Sequence, residues 1–551
     1  MIFTQRLPLV FVSALSAIAC ALATPTASAA AHTYLKASSG GLSLPADASG
    51  YQIPDFSYAG YKSSEEELPK FGDHYTAKVT LSNPSGDETS RIQDAIKKVS
   101  GLSKNSHGYR GAVVLGAGTW NVTSLTIDAD GVVLRGAGPD STIITSSVTK
   151  PGQTIRVGSS GSKSNSDAFM AGRSGTQWKI TDSTVHVGSR SFSLTSGHGV
   201  RVGDAIIIEH PATAAWLAAV DNGGSPVKSE HWPVGSVPIR YHRYVTAVDG
   251  NRVTVDAPVM YSLVKSLSQS FVYKYTGSLR QQVGIENLTV DHKTKSNFDG
   301  NHGNDCIRFN LSENCWVRNV VTQNFRRAGF YIGESTRITI QDSKAIDPHA
   351  EITSAMRYGF LTNAGQLILF KDNYGRRSRH TFVGNGHAMD SGNVYLRCVA
   401  EDNYAASESG HQRWANGHLW DGCEFRHVGK PESGAKFNDM MIWLGNHGDN
   451  SNGHGWAAVN TVVYRSSVAA PGYGIVAKPP TGMNYVIASS GEWRSKHSAH
   501  GDYPGALNIA TSGTLPKSLF EAQLAQRLGN GSPAPVLTRP DAPSGLGGSV
   551  N

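Results

Sequence analysis

The sequence predicts an all-β chain wound as a right-handed parallel β-helix, and three observations predict it. The first is a short strand that recurs and ends in a polar or small residue: Val283–Asn287, Cys315–Asn319, Ile338–Asp342, Ile368–Asp372, Val394–Cys398, Leu419–Cys423, Val462–Ser466 and Tyr485–Ser489. The second is spacing, since the last residues of successive units lie 23 to 43 apart, one solenoid coil or a coil carrying an inserted loop. The third is alternation: each unit switches between apolar and polar residues, as half-buried strands do. Strands this short are not stable alone. Stacked in parallel, one per coil, they bury a continuous interior and satisfy one another's backbone groups. The residues at the unit ends, Asn287, Asn319, Asp342 and Asp372, are types that tolerate a left-handed bend.

In chain order, residues 1–29 read as a signal peptide. Arg6 precedes an apolar run from Leu7 to Ala23, and Ala27-Ser28-Ala29 is an A-x-A cleavage site. A secreted or periplasmic protein is the expectation. Cys20 lacks the preceding large aliphatic residue of a lipidation site, because Ala17 stands there. Residues 30–158 hold an N-terminal segment, a capping helix and the first coils. The helix is predicted over Ser90–Val99 with Ile92, Ala95, Ile96 and Val99 on one face, and Ser90 with Gln93 suggests a capping box. Such a helix would close the open end of the solenoid, whose bare strands would otherwise invite aggregation. Strands are predicted at Val113–Leu115, Leu125–Ile127 and Val132–Leu134. Over 159–274 the coil pattern is lost. Val202–Ile208 and Tyr244–Val255 there read as antiparallel strands, with Asp249-Gly250-Asn251 as a turn, so this stretch is a β-rich insertion. Coils with active-site loops resume over 275–515. A helix at Ser518–Leu528, stopped by Gly529, and a loose tail beyond Ser532 complete residues 516–551.

Composition sets limits. Of 551 residues, 39% are hydrophobic and 17% charged, which excludes a disordered tail or a multispan membrane protein. The 60 glycines have no G-X-Y period, so collagen is excluded. The net charge of +7 suits an acidic polymer without identifying one. Beyond the leader, Cys306, Cys315, Cys398 and Cys423 are too few for a disulfide framework and form no C-x-x-C pair, so the core must hold the fold.

Several stretches resemble a known family. The predicted helix, then Gly111–Trp120 and Gly131–Gly138, look like the start of secreted pectin-lyase-like β-helix proteins. The stretch His411-Gln412-Arg413-Trp414-Ala415-Asn416-Gly417 is similar to a motif of bacterial β-helix proteins of the polysaccharide-lyase type, and Gly453–Ala457 and Ser518–Gly529 are similarly familiar. The resemblance implies the solenoid fold and carbohydrate chemistry.

Candidate site residues follow from aligning coils. Four segments, Arg327–Phe330, Arg357–Phe360, Arg379–Phe382 and His411–Trp414, place Phe330, Phe360, Phe382 and Trp414 at one inward position. Alternation then turns Arg327, Arg357, Arg379 and His411 outward along a line of about 14 Å, with Arg413 beside His411. A line of like charges is costly without an anionic partner, although water and salt screen it. A linear polyanion along the face would fit it. Solvated arginines paired with Asp347, Glu351, Glu401 or Asp402 are the plainer alternative. Tyr358 and His380 lie beside these cations, and both side chains can transfer protons.

These groups suit β-elimination of a uronate-containing polysaccharide. A preorganised guanidinium neutralises the carboxylate, one Tyr or His removes the adjacent proton, and a second donates to the departing oxygen. The expected neutraliser is Arg357 or Arg379, the base His380 or Tyr358, and the acid His411 or Tyr358. Arg327, Arg377, Arg413, Trp443 and His454 are expected to bind substrate. No cofactor is required. His349 with Glu351, or His387 with Asp390, would form a divalent site, for calcium if oxygen ligands dominate. Two competing readings stay open. One is a glycoside hydrolase using a carboxylate pair drawn from Asp347, Glu351, Asp390, Glu401, Asp402 and Glu408. The other is a non-catalytic carbohydrate-binding solenoid. Neither a nucleic acid nor a membrane is the expected partner, and the solenoid is expected as a monomer or homotrimer.

Overall fold

The recurrent unit of the sequence is one rung of a ladder. Gly284, Trp316, Thr339, Leu369, Val394, Leu419, Val462 and Tyr485 are successive register partners, every pairing parallel. The same ladder begins at Ala77–Leu81 and passes through Gly111–Leu115 and Val132–Arg135. In this computed structural model, residues 32–529 are described apart from 39–40, 160–168, 170–174, 433, 449–452, 498–500 and 503–509. The leader expected over 1–29 and the tail beyond Ser532 lie outside the described residues.

The expected bends are present. Asn287, Asn319, Asp342 and Asp372 adopt φ of 56°, 54°, 50° and 55°. In the later coils the bend falls one residue earlier than the unit ends suggest, at Arg397, Gly422, Arg465 and Ala488. Cys423 and Ser466 then follow the bend and turn inside, where their side chains donate to the Tyr395 and Trp420 carbonyls. The four cysteines after residue 300 are buried and free.

Each coil has three strand faces, where the sequence suggested two. The second face runs through Lys344–Ile346, Tyr374–Arg376, Val399–Glu401 and Glu424–Arg426. Its strands are as short as those of the first face, but their inward residues, Ala345, Gly375, Ala400 and Phe425, are mostly small and leave no recurrent apolar signal. The third face runs through Leu125–Ile127, Gln153–Val157, Asp305–Asn310, Ala328–Gly333, Tyr358–Asn363 and His380–Gly384. Bridges Val383–Glu408 and Ser407–Ile442 carry it on to Met440–Leu444, Tyr473–Val476 and Glu492–Arg494.

Inside the coil the aromatic column is only partly as expected. Phe330, Phe360 and Phe382 stack at 4.9 and 4.8 Å between centroids. Trp414 does not continue the column, because the bridge from Val383 to Glu408 puts Ser407 beside Phe382. Trp414 packs instead against Trp216, Trp232 and Tyr261 at 5.6, 6.2 and 5.7 Å. Those residues belong to the insertion, whose core includes a six-stranded antiparallel sheet built around Ala205–His210 and Ile239–Asp249. The second predicted strand pair is confirmed: Ile239–Asp249 turns back into Arg252–Val255.

Both helices form, with different contacts. The first spans Thr89–Ser100 and buries Ile92, Ala95, Ile96 and Val99. Its N-cap is Glu88, with no side-chain cap bond, so the expected capping box is absent. Gln93 exchanges hydrogen bonds with the backbone of Thr126 instead, which ties the helix to the first strand of the third face. The other helix, Leu519–Arg527, is capped by Ser518 and lies along the first face rather than across its end. Asp421 on that face accepts from the Ser518 hydroxyl and the Phe520 amide, and Thr33–Ser38 covers the same apolar surface beside it.

Candidate active site

Two outward columns on the third face organise the candidate site. Thr126, Arg156, Arg308, Tyr331, Leu361, Val383 and Glu408 are consecutive register partners. Beside them run Gln153, Asp305, Ala328, Tyr358 and His380. Core residues flank the first column on its strands: Ile155 and Val157, Ile307 and Phe309, Phe330 and Ile332. Alternation therefore leaves Arg156, Arg308 and Tyr331 no direction but outward.

The structure separates the predicted arginines. Arg357 is fully buried; it donates from both terminal nitrogens to Glu432 at 2.9 and 3.1 Å and from Nε to the Ala350 carbonyl at 2.7 Å. A guanidinium so committed holds loops together and does not meet substrate, which corrects its expected role as neutraliser. Its φ of 57° turns the chain just ahead of the strand, so strand alternation does not apply to it. Arg327 is likewise committed, gripping Asp305 with Nε at 2.8 Å and with Nη2. Arg377 stands half-buried at a bend, with φ of 57° and no ion pair among the described residues. Arg379 is the available cation. It is half-buried, donates to the Ser354 carbonyl at 2.6 Å, comes within 3.5 Å of the Tyr358 hydroxyl, and has no carboxylate partner among the described residues.

The histidines gather beside Arg379. The His380 ring lies 5.4 Å from Tyr358 and 5.0 Å from His411. His411 arrives from the segment after the next rung, not from a strand position, and its Nδ1 donates to Glu408 at 2.6 Å. Glu408 therefore fixes the His411 tautomer, leaving Nε2 as the acceptor. The His380 Nδ1 donates to the Ala406 carbonyl at 2.5 Å. Burial, with Arg379 and His411 nearby, pushes the His380 pKa well below its usual value, so it is neutral and a weak base at neutral pH. Burial raises the Tyr358 pKa while Arg379 pulls it down, so the phenol stays protonated. At 2% exposure both His380 and Tyr358 lie beneath the surface; the His411 side chain, at 18%, reaches it.

Further along, His454 packs edge-on to His411 at 4.8 Å, and Trp443 stacks on His447 at 3.7 Å. Arg413, at φ 57°, donates to the Gly453 carbonyl at 3.3 Å and lies 3.4 Å from His387.

The other carboxylates of a hydrolase reading are engaged elsewhere. Asp347 pairs with Arg376, Glu401 with Arg426, and Asp402 accepts from the Val428 amide. Asp390 is buried and accepts the Gly365 and Gly386 amides; burial pushes its pKa up to about 7. The residues of the two loop pairs are engaged or exposed: His349 bonds Thr294, Glu351 is exposed, and Asp390 accepts backbone amides. The metal-capable side chains that do converge are His380, Glu408 and His411, with ligand atoms within 4.8 Å of one another. That donor set would suit a borderline ion such as zinc better than calcium.

Sequence reading missed Arg156, Arg308, Asp305 and Tyr331. The signal was present in Ile155-Arg156-Val157, Ile307-Arg308-Phe309 and Phe330-Tyr331-Ile332, each a polar or aromatic residue between two inward apolar ones.

No family model and no curated protein matches the chain. Among solved structures it is similar to the tailspike of Acinetobacter baumannii bacteriophage AP22 in complex with capsular saccharide, at 12% identity and a TM-score of 0.43, covering 78% of this chain and 67% of that one. A tailspike from Pseudomonas phage LKA1 follows at 13% identity and 0.37, covering 69% of this chain and 62% of that chain's length. An alginate lyase from a Paenibacillus species matches at 9% identity and 0.32, covering 76% of this chain and 100% of that one.

Proposed function

We propose that the third face is the catalytic face of a polysaccharide lyase that cleaves a uronate-containing polysaccharide by β-elimination. The observation that carries this reading is Arg379, a guanidinium with no carboxylate partner among the described residues, at the Tyr358 hydroxyl and next in chain to His380, whose ring meets a His411 oriented by Glu408. Arg379 takes the uronate carboxylate and stabilises the charge that develops on it as the adjacent C–H is broken. His411 Nε2 accepts that proton. The electron pair left on carbon forms a C=C bond as the glycosidic C–O bond breaks. The Tyr358 hydroxyl, kept protonated by burial and held near Arg379, donates to the departing oxygen. His380 is a positioning residue that packs between Tyr358 and His411. A secreted or periplasmic setting fits a polymer substrate of this kind.

The test is a screen of purified protein on alginate, glucuronan, pectate and glycosaminoglycans. Elimination raises ultraviolet absorbance as each bond is cut. New reducing ends without absorbance would mark a hydrolase and remove the assignment.

A further inference from the structure

Two arginines lie on the third face well away from the His411 centre. Arg156 and Arg308 are direct register partners, so their backbones are one rung apart, about 4.8 Å. Both face outward, because their strand neighbours Ile155, Val157, Ile307 and Phe309 fill the core. The local charge does not balance. Asp305 is the carboxylate beside them, and it is gripped at both oxygens by Arg327, with Arg308 approaching at 3.5 Å. Arg156 donates to the Thr126 hydroxyl at 3.1 Å and has no ion pair among the described residues. The next acid, Asp128, accepts from Arg280 at 2.8 Å. Arg308 and Arg327 therefore divide one carboxylate, and the acid nearest in effect to Arg156, Asp128, is held by Arg280.

The arginines are also held in place. The Arg308 guanidinium lies 4.1 Å from the Tyr331 ring centre and that of Arg327 4.8 Å from the same ring. Asn363 fixes the Tyr331 hydroxyl at 2.8 Å. A stacked guanidinium keeps its in-plane donors for an anion. Burial acts most against the charge on Arg156, Asp128 favours it, and Arg308 opposes it to a smaller degree, so an added anion would ease the burial cost. The column continues from Arg308 through Tyr331, Leu361 and Val383 to Glu408, the carboxylate that orients His411. That is four rungs, about 19 Å, and about 24 Å from Arg156.

We infer that Arg156 and Arg308, with Arg308 braced by Tyr331, form a remote carboxylate subsite that holds the same anionic polysaccharide chain several sugars from the bond being cut. The inference rests on the third face being the substrate face. Its consequence is a dependence on chain length: a polymer long enough to span five coils gains binding that a short oligomer cannot.

The experiment compares wild type with Arg156→Ala/Arg308→Ala, which leaves Arg379, His411 and Glu408 intact. Retention in affinity gels containing alginate, polygalacturonate, glucuronan or chondroitin sulfate is measured against a neutral glucan, and cleavage is followed on the retaining polymer and on its tetrasaccharide. The expected result is tenfold or greater loss of polymer retention, tenfold higher KM on polymer with kcat kept, and unchanged tetrasaccharide cleavage. If the double variant fails to fold, the single Arg156→Ala, which removes one part-buried hydrogen bond, replaces it. Equal retention of variant and wild type overturns the inference, as does equal loss on tetrasaccharide, or a wild type retained by none of the four polyanions. Retention lost in the variant while wild type makes no C=C bond supports the subsite and removes the elimination mechanism. Elimination by a variant that binds polymer as wild type does removes the subsite and leaves the mechanism.

Discussion

The arginines that tie rungs together on the first two faces differ in counter-charge from those between Arg156 and Arg379 on the third, although farther along that face Arg494 is paired with Glu492. Arg135 and Arg318 share Glu286, Arg397 bridges Asp372 and Glu521, Arg376 holds Asp347, and Arg426 holds Glu401 and Glu424. On the third face, Arg379 and Arg156 have no carboxylate among the described residues, and Arg308 and Arg327 divide one. The same residue type on the same scaffold thus does two jobs. Paired, it ties rungs and covering segments together; left unpaired beside a histidine–carboxylate dyad, it is placed to receive an anion. The mere presence of an arginine column says little about function, and the missing counter-charge says much more.

The largest effect that would sharpen this contrast is on turnover. Arg379→Ala and His411→Ala are each expected to lower kcat by about 10²–10⁴-fold on the responding polyuronate, with melting temperatures close to wild type. Unchanged turnover in both would put the third-face arginine on the same footing as the paired ones.

Arg357→Ala should do the reverse. It leaves Glu432 without its buried partner and is expected to cost about 3–5 kcal/mol of stability. Activity per folded molecule should persist at low temperature. Chemical denaturation followed by fluorescence checks the first part, and loss of turnover without loss of stability would restore Arg357 to the site.

Acid should weaken the fold by a smaller, distributed amount. Burial pushes His210 and His292 down to about 3, and His387 and His418 down to about 4. A histidine whose folded pKa is depressed stabilises fully above its unfolded value near 6.5, and that stability is lost as pH falls below it. Asp390 and Asp421, raised to about 7, act oppositely: their contribution is present in acid and is lost as pH rises from 3.8 through 7. His242, His302, His349 and His380 are lowered too, and Asp55, Glu313 and Asp342 raised, so the lowered histidines outnumber the raised acids and stability falls on acidification below pH 6.5. A melting temperature that rises over this interval on acidification would contradict it.

The smallest effect is expected on the second face. Arg426→Ala removes a partly exposed pair with Glu401 and Glu424 and should cost about 1 kcal/mol or less, with no change in turnover.

The sequence made the winding legible because Asn287, Asn319, Asp342 and Asp372 mark their bends and the first-face strands keep a steady apolar pattern. It hid the second face, whose inward residues Ala345, Gly375 and Ala400 are too small to mark a strand, and hence the true number of strands per coil. Within the site, Tyr358, Arg379, His380 and His411 do come together, although the alignment that suggested His411 was wrong. Trp414 belongs to the second core, and His411 reaches His380 because the chain after Glu408 leaves the strand early. Arg357 shows the limit of alternation, since one left-handed residue before a strand redirects a side chain into loops distant in sequence, which only the folded chain brings near.

The most direct measurement is ultraviolet absorbance during digestion of a polyuronate by wild type, Arg379→Ala and Glu408→Gln. The account predicts a steady rise for wild type and almost none for Arg379→Ala. For Glu408→Gln it predicts a rise slowed about tenfold or more, with an altered pH profile because His411 loses its oriented tautomer. A rise of the same slope in all three, or chain shortening in wild type with no absorbance change, would contradict it.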